Sequence, residues 1–346
     1  MLSRAISIPY SRFFCIRASS TTACPLASPA VPFFLILRRL HLLVTPPRPA
    51  YPRFLLRYSH FCYTYLMLIN TFCHIPRVGP RTEARLWQAG ILSWHDALLP
   101  CHRSHLLRTN PASLDILHHS FAALDARDIH FFAQRLPHHE LWRLFPEFRQ
   151  RTAFLDIETT GLSGIHDHVT TITLYDGKLI NYYVYGHNLT AFLRDIRRYQ
   201  LLVTYNGKHF DIPYLERFFH TKLPHVHIDL RFLLHSLGFS GGLKACEHAL
   251  GLHRGSLDGI DGSFAVLLWR DYVAHANLAA LETLLAYNTA DAVNLETLLV
   301  KAYNLCLQAT PFHAARKLPL PEPPPCPFSP DSTTIARLKA CLPPLQ

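Results

Sequence analysis

Several features common in other protein classes are scarce in this sequence. Only two of its 346 residues are methionine, and its nine cysteines form no CxxC pair. The cysteines and histidines also lack metal-ligand spacing, which excludes the usual structural zinc motifs and favours a reduced, cytoplasmic protein. The apolar run from Val31 to Leu37 is far shorter than the roughly 20 residues of a transmembrane helix. We therefore predict no membrane span.

Acidic residues are absent from the first 66 positions, which carry eight arginines and eight prolines but no lysine. These positions account for most of the formal net charge of +10, so the charge does not indicate a nucleic-acid-binding protein. Globular patterning begins immediately after Met67, the only methionine besides Met1. We predict that 1–66 is a non-native extension of the working protein. A transit peptide and a membrane-surface or partner-binding arm are the alternatives.

Two further segments flank the part of the chain that carries the chemistry. Residues 67–150 have helical spacing of apolar residues and predict a small helical module, with a helical hairpin at 73–91. This hairpin resembles a degenerate helix-hairpin-helix, in which Arg77 stands where a glycine is usual. A purely structural hairpin is equally compatible with the pattern. Ten prolines in 310–346 predict an extended or disordered tail.

Residues 151–309 contain acidic residues at the ends of predicted secondary-structure elements. Asp156 and Glu158 end a short apolar run, and residues two apart in a strand point to the same face. Two carboxylates held that close repel each other, so the pair favours a divalent metal ion. Taken alone, the pair is equally typical of a solvated turn.

Three further residues occupy positions where functional groups often occur. Asp211 opens a predicted helix directly after a buried strand, a typical place for a site residue in an open α/β sheet, although a helix cap explains it as well. Tyr287 and Asp291 are four residues apart on a long amphipathic helix, so they share one face. Each is more often a structural residue when it occurs alone.

Taken in order, these motifs resemble a known family. Asp156-x-Glu158, Asn206-x-x-x-Phe210-Asp211 and Tyr287-x-x-x-Asp291 are similar to the three exonuclease motifs of the DEDD superfamily, in its Tyr-containing branch. The surrounding sequence more narrowly resembles YprB-like ribonuclease-H-like domains over residues 67–305. The resemblance implies an α/β ribonuclease-H-like fold, with a mixed five-stranded sheet flanked by helices and preceded by the helix-hairpin-helix-like module.

The resemblance also implies a function, a two-metal-dependent 3′–5′ exonuclease that hydrolyses DNA or RNA from a single-stranded 3′ end. Carboxylate ligands without cysteine select Mg²⁺ or Mn²⁺ over zinc. Asp156, Glu158, Asp211 and Asp291 would bind two such ions, and Tyr287 would position the attacking water. Weaker predictions for nucleic-acid contacts are Thr159, Thr160, Asn206 and Lys208. For Asn206 we favour bracing of the Asp211 turn over substrate contact, and for Lys208 simple surface exposure is the alternative. The alternative function is a non-catalytic nucleic-acid-binding module on the same fold.

Overall fold

The computed structural model describes residues 67–102, 111–161 and 167–341. Five strands form one mixed sheet in the order β3-β2-β1-β4-β5. β1 pairs antiparallel with β2 and parallel with β4, which pairs parallel with β5. The strands are β1 Thr152–Thr159, β2 Val169–Tyr175, β3 Ile180–Val184, β4 Leu201–Thr204 and β5 Val226–Asp229. The predicted mixed five-stranded sheet is confirmed. A hairpin that turns at Asp176-Gly177 joins β2 and β3.

Helices precede the sheet, connect its strands and cover it. The α-helices are α1 Pro80–Gln88, α2 Trp94–Ala97, α3 Ser113–Asp125, α4 Ile129–Ala133, α5 Phe145–Phe148, α6 Phe192–Asp195, α7 Asp211–Phe218, α8 Leu230–Ser236, α9 Leu243–Ala249, α10 Gly262–His275, α11 Leu278–Leu307, α12 His313–Arg316 and α13 Ser332–Ala340. Short 3-10 segments include Leu68–Asn70, His138–Leu144 and Gly255–Leu257. Within the described ranges, none of the helices has the length and apolar composition of a membrane span.

The two faces of β1 pack against different helices because its side chains alternate. Leu155 and Ile157 belong to a buried cluster with α6 and α7 residues, including Phe192 and Leu215. Phe154, on the opposite face, belongs to a second cluster that includes residues of α11 and of the helical module. Asp156 and Glu158 share the parity of Phe154, so they face α11 and not α7. The alternation of side chains along β1 therefore places both carboxylates on the face of the sheet that α11 covers.

The helical module shares its hydrophobic core with the sheet region. Trp142 contacts Tyr303 of α11 edge to face, with ring centroids 5.3 Å apart. Within the predicted hairpin at 73–91, α1 is the one helix, and the 3-10 turn Leu68–Asn70 lies before this range. Arg77 has φ = +70°, a left-handed conformation that favours glycine.

The prediction of a disordered proline-rich tail is wrong for the described residues 310–341. α13 lies in this segment, and Phe328, Ile335 and Leu338 are buried in one cluster with residues of α10 and α11. Asp331 caps α13 by accepting a hydrogen bond from the backbone N–H of Thr334. A few apolar residues pack this segment against α10 and α11, although its overall composition is typical of disorder. Residues 1–66 lie outside the described residues, so the interpretation of them remains a prediction.

Candidate active site

Three carboxylates from two distant segments converge at one end of the sheet. Asp156 and Glu158 project from β1, and Asp291 lies on α11, which packs across β1 and β2. A carboxylate oxygen of each lies within 4.8 Å of an oxygen of the other two. Glu158 and Asp291 are buried, and Asp156 is partly buried. Residues more than 130 positions apart therefore form a single acidic cluster.

Asp211 reaches the same cavity from the loop that follows β4. β1 and β4 run parallel, so their carboxyl ends meet at the same edge of the sheet. The connection is tight: a Cβ at Gly207 would lie 2.2 Å from Thr204 Oγ1, and Asn206 has φ = +64°. Asp211 then begins α7 and lines a cavity of about 650 Å³ together with Asp156 and Glu158. Asp211 itself lies outside the group of three close carboxylates.

Burial and mutual repulsion make the ionised form of these acids costly. Burial, followed by the charges of Asp291, Glu158 and Asp211, raises the pKa of Asp156 well above its usual range. Burial and the charge of Asp291 likewise raise the pKa of Glu158. Burial raises the pKa of Asp211 to about 7, against the lowering effect of backbone N–H groups at Asp211 and Ile157. Added positive charge would relieve all of these penalties.

Two cationic side chains already approach the acids. The Arg254 guanidinium pairs with Asp291 and makes two hydrogen bonds to Glu247, of 2.6 and 2.7 Å. Lys244 Nζ donates to the Tyr287 hydroxyl and lies 4.4 Å from the centre of that ring. Two cations against four site acids and Glu247 leave a surplus of negative charge.

The side-chain amide of Asn288 fixes the orientation of Asp156 by a hydrogen bond. Asn288 Nδ2 donates to Asp156 Oδ2 at 2.6 Å, and Thr173 Oγ1 donates to Asn288 Oδ1 at 2.9 Å. Thr173 is the direct cross-strand partner of Asp156, which places its hydroxyl on the same face. This chain of hydrogen bonds leaves the other oxygen of Asp156 available to the cluster.

The donor set fits a divalent metal ion. All three close ligands are carboxylates, the hard oxygen donors that Mg²⁺ and Mn²⁺ prefer. The three carboxylates lie close enough together for all of them to bind one cation. Asp211 adds a fourth carboxylate at the edge of the same cavity.

Tyr287 lies beside the acids and one helical turn from Asp291. Its side chain is almost fully buried, 2% exposed. Burial and the charges of Asp291 and Glu158 raise the pKa of its phenol, so the hydroxyl keeps its proton at neutral pH. The protonated phenol can donate a hydrogen bond.

The four predicted nucleic-acid contacts have different surroundings. Thr159, Thr160 and Asn206 line the cavity that contains Asp156, Glu158 and Asp211, which we call the acidic cavity. The Thr159 hydroxyl donates to the carbonyl of Gly161 at 2.7 Å. Asn206 Oδ1 accepts from Arg231 Nη1 at 2.6 Å, while its backbone carbonyl accepts from the N–H groups of His209 and Phe210. Lys208 is exposed on the same turn and lies outside the residues that line the cavity.

Sequence comparison agrees with this architecture. Residues 153–303 match the family model RNase_H_2, which describes the RNase_H superfamily. The fold of this region is ribonuclease H-like. The match spans the ribonuclease H-like domain from β1 to the last turns of α11, and it includes all four acids and Tyr287.

A solved structure and the curated proteins add little to that match. The family B DNA polymerase from the hyperthermophilic archaeon Pyrobaculum calidifontis is 15% identical over 49% of this chain, with a TM-score of 0.33. The aligned part spans 27% of the polymerase chain. A comparison with curated proteins gives no match.

Sequence reasoning missed several residues of the ribonuclease H-like site. Arg254 and Glu247 lie between the predicted motifs and reach the site through a loop and a short helix, for which the sequence offers no spacing signal. Asn288 could have been predicted from spacing, because it lies three residues before Asp291 on α11 and therefore on the same side of the helix. Lys244, on α9, also lies between the predicted motifs, and its side chain reaches Tyr287.

Proposed function

We propose that this protein is a metal-dependent nuclease, specifically a 3′–5′ exonuclease that hydrolyses phosphodiester bonds of DNA or RNA. The convergence of Asp156, Glu158 and Asp291 within 4.8 Å carries the proposal. The ribonuclease H-like match supports it, because proteins of this superfamily are generally nucleases that use divalent metals. The Tyr-containing DEDD branch and the YprB-like group are the finer assignments that we propose.

Asp156, Glu158 and Asp291 would bind the metal ions, and Asp211 would be the fourth carboxylate ligand of a two-ion site. Bound Mg²⁺ or Mn²⁺ lowers the pKa of a coordinated water and neutralises charge on the phosphate. Asn288 and Thr173 fix the orientation of Asp156. Tyr287, protonated and held by Lys244, positions the attacking water by a hydrogen bond.

Thr159 and Thr160, on the wall of the cavity, would contact the terminal nucleotide. Lys208 is exposed on the adjoining turn, where it would contact a phosphate of the incoming strand. The substrate we propose is a nucleic acid with a single-stranded 3′ end.

One observation favours a second candidate function. Arg254 pairs with Asp291, so a cation already partly compensates one of the metal ligands. Such an ion pair is compatible with a non-catalytic nucleic-acid-binding module on the same fold. The two functions differ in whether bound substrate is cut.

The test uses the full-length chain with single- and double-stranded DNA and RNA, labelled at the 5′ end, in Mg²⁺, Mn²⁺ or EDTA. Stepwise shortening that requires metal supports the exonuclease. We expect Asp156→Asn and Asp211→Asn to lose roughly 10³-fold in rate, since charge stabilisation by metal contributes several kcal/mol. Asp115→Asn, an exposed acid on α3, serves as the matched control and keeps full activity.

Two results would contradict the proposal. Retarded but intact substrate in every metal supports the binding module. Cleavage of circular single-stranded DNA, which has no end, replaces the exonuclease by an endonuclease.

A further inference from the structure

A second cavity, of about 540 Å³, adjoins the acidic cavity and has a different chemical character. We call it the aromatic groove. Its lining consists of the Ser-Gly-Gly turn at 240–242 and of Tyr205, His209, Arg231, Phe232, His235 and Phe239. No acidic residue is among these lining residues, in contrast to the neighbouring cavity.

The aromatic groove presents exposed rings instead of burying them. Phe232 lies in the first turn of α8 and is 50% exposed. The His209 ring contacts it, with centroids 5.6 Å apart. A single exposed apolar residue is ordinary on a protein surface. Here the exposed ring lies in a concave surface beside a second ring, as in sites that stack planar ligands.

Positive charge accompanies the rings. Arg231 is exposed, while the nearby Asp229 carboxylate accepts hydrogen bonds from the backbone N–H groups of Asn206, Lys208 and Arg231. Backbone N–H groups therefore compensate the negative charge of Asp229. Rings next to an exposed guanidinium match a ligand made of alternating planar groups and phosphates.

The aromatic groove lies next to the acidic cavity. Tyr205 lines both cavities, and Arg231 of the groove donates to Asn206 of the acidic cavity at 2.6 Å. A polymer bound with one end at the acids would reach the groove with its next units. A mononucleotide would not fill both.

We propose that the aromatic groove binds single-stranded nucleic acid, with bases stacked on Phe232 and a phosphate beside Arg231. The inference deepens the proposed nuclease function and rests on it for the position of the terminus. It predicts a substrate with several unpaired nucleotides at its end, because only unpaired bases expose their faces for stacking.

The experiment measures equilibrium binding of the full-length chain to a labelled 12-nucleotide single strand, in Ca²⁺ to prevent cleavage. Phe232→Ala should weaken binding roughly ten-fold, whereas Phe232→Tyr keeps most of the affinity. Arg231→Gln should weaken binding and make it less dependent on salt by about one phosphate contact. The matched control is Leu179→Ala, 57% exposed on the β2–β3 turn at the opposite end of β1.

Two further substrates separate the possible outcomes. A dinucleotide reaches only the acidic cavity, so Phe232→Ala should leave its binding unchanged. If Phe232→Ala binds the 12-mer as the wild type does, the inference is wrong and the groove serves another class of partner, such as a peptide. Equal weakening on blunt duplex and single strand would also overturn it, since paired bases cannot stack on Phe232.

Failure of this inference is distinguishable from failure of the nuclease proposal. Phe232-dependent binding without cleavage in Mg²⁺ or Mn²⁺ supports the groove and contradicts the nuclease. Metal-dependent cleavage that Phe232→Ala leaves unchanged on every substrate supports the nuclease and contradicts the groove.

Discussion

The helical module and the candidate active site both bury clusters of charge, but their acids differ in how well they are paired. In the module, Glu83 Oε1 accepts from the Thr71 hydroxyl and from the backbone N–H groups of Phe72 and Cys73. Arg143 adds an ion pair to Glu83 at 2.9 Å and another to Glu140 at 2.6 Å. In the active site, acids face one another. Burial of an acid is therefore a weaker indication of function than an excess of acids over donors.

The strongest test compares the two clusters by stability. Arg143→Met leaves Glu83 and Glu140 without their buried cation, so we expect the free energy of unfolding to fall by about 3–5 kcal/mol. Denaturant unfolding followed by circular dichroism measures the change. Arg197→Met, at an exposed arginine before β4, is the control and stays near zero.

Asp156→Asn should have the opposite sign in EDTA, because it removes one repelling charge while Asn288 keeps an acceptor. Destabilisation by Asp156→Asn comparable to that by Arg143→Met would remove the distinction between the clusters.

A pH series in EDTA sharpens the comparison. Burial raises the pKa of Asp211 from 3.8 to about 7, so between these values the folded protein binds more protons than the unfolded chain. Stability is then greatest below the unfolded pKa and is lost as pH rises through the folded one. Asp211→Asn should remove this part of the slope, a difference of up to about 4 kcal/mol. Parallel curves for wild type and variant between pH 4 and 8 would contradict it.

Metal binding should stabilise the folded protein through the unpaired acids of the active site and not through the paired acids of the module. At a metal concentration 100 times the dissociation constant, Mn²⁺ or Mg²⁺ adds about 2.7 kcal/mol to the free energy of unfolding. Thermal unfolding with and without EDTA detects the difference. Glu158→Gln should abolish the shift, and Asp115→Asn should retain it. A shift of the same size in Glu158→Gln would assign the metal to another site.

The smallest effect concerns Tyr287. If the phenol only positions water, Tyr287→Phe lowers kcat about ten-fold, leaves KM unchanged and keeps the pH profile of the wild type. Steady-state kinetics between pH 6 and 9 measure all three. A pH limb that disappears in the variant would instead identify Tyr287 as an acid or base.

Local patterns predict individual strands and helices and the direction of single side chains, whereas the five-stranded sheet and the meeting of its acids follow from the resemblance of the ordered motifs to a known family. Alternation in β1, the strand-to-helix junction at Asp211 and the four-residue spacing on α11 each specify a direction for a side chain. Together with the strand order of the mixed sheet, these directions place the acids at the same edge of the sheet. The hairpin between β2 and β3 turns at Asp176-Gly177, a residue pair typical of hairpin turns.

The remaining features depend on contacts that local patterns do not encode. Arg254 reaches Asp291 from a loop 37 positions earlier in the chain. The docking of α13 depends on a few apolar residues within a composition typical of disorder. The aromatic groove consists of residues from a turn and from two helix ends, and no periodicity brings these together.

The length of α11 has a practical consequence. Its 30 residues extend for about 45 Å, with Tyr287 and Asp291 in the ribonuclease H-like site and Tyr303 against Trp142 of the module. A shortened protein beginning at residue 151 would carry every proposed catalytic group yet leave the far half of this helix without its covering. Such a fragment should be poorly soluble when expressed alone, although the family match begins at residue 153.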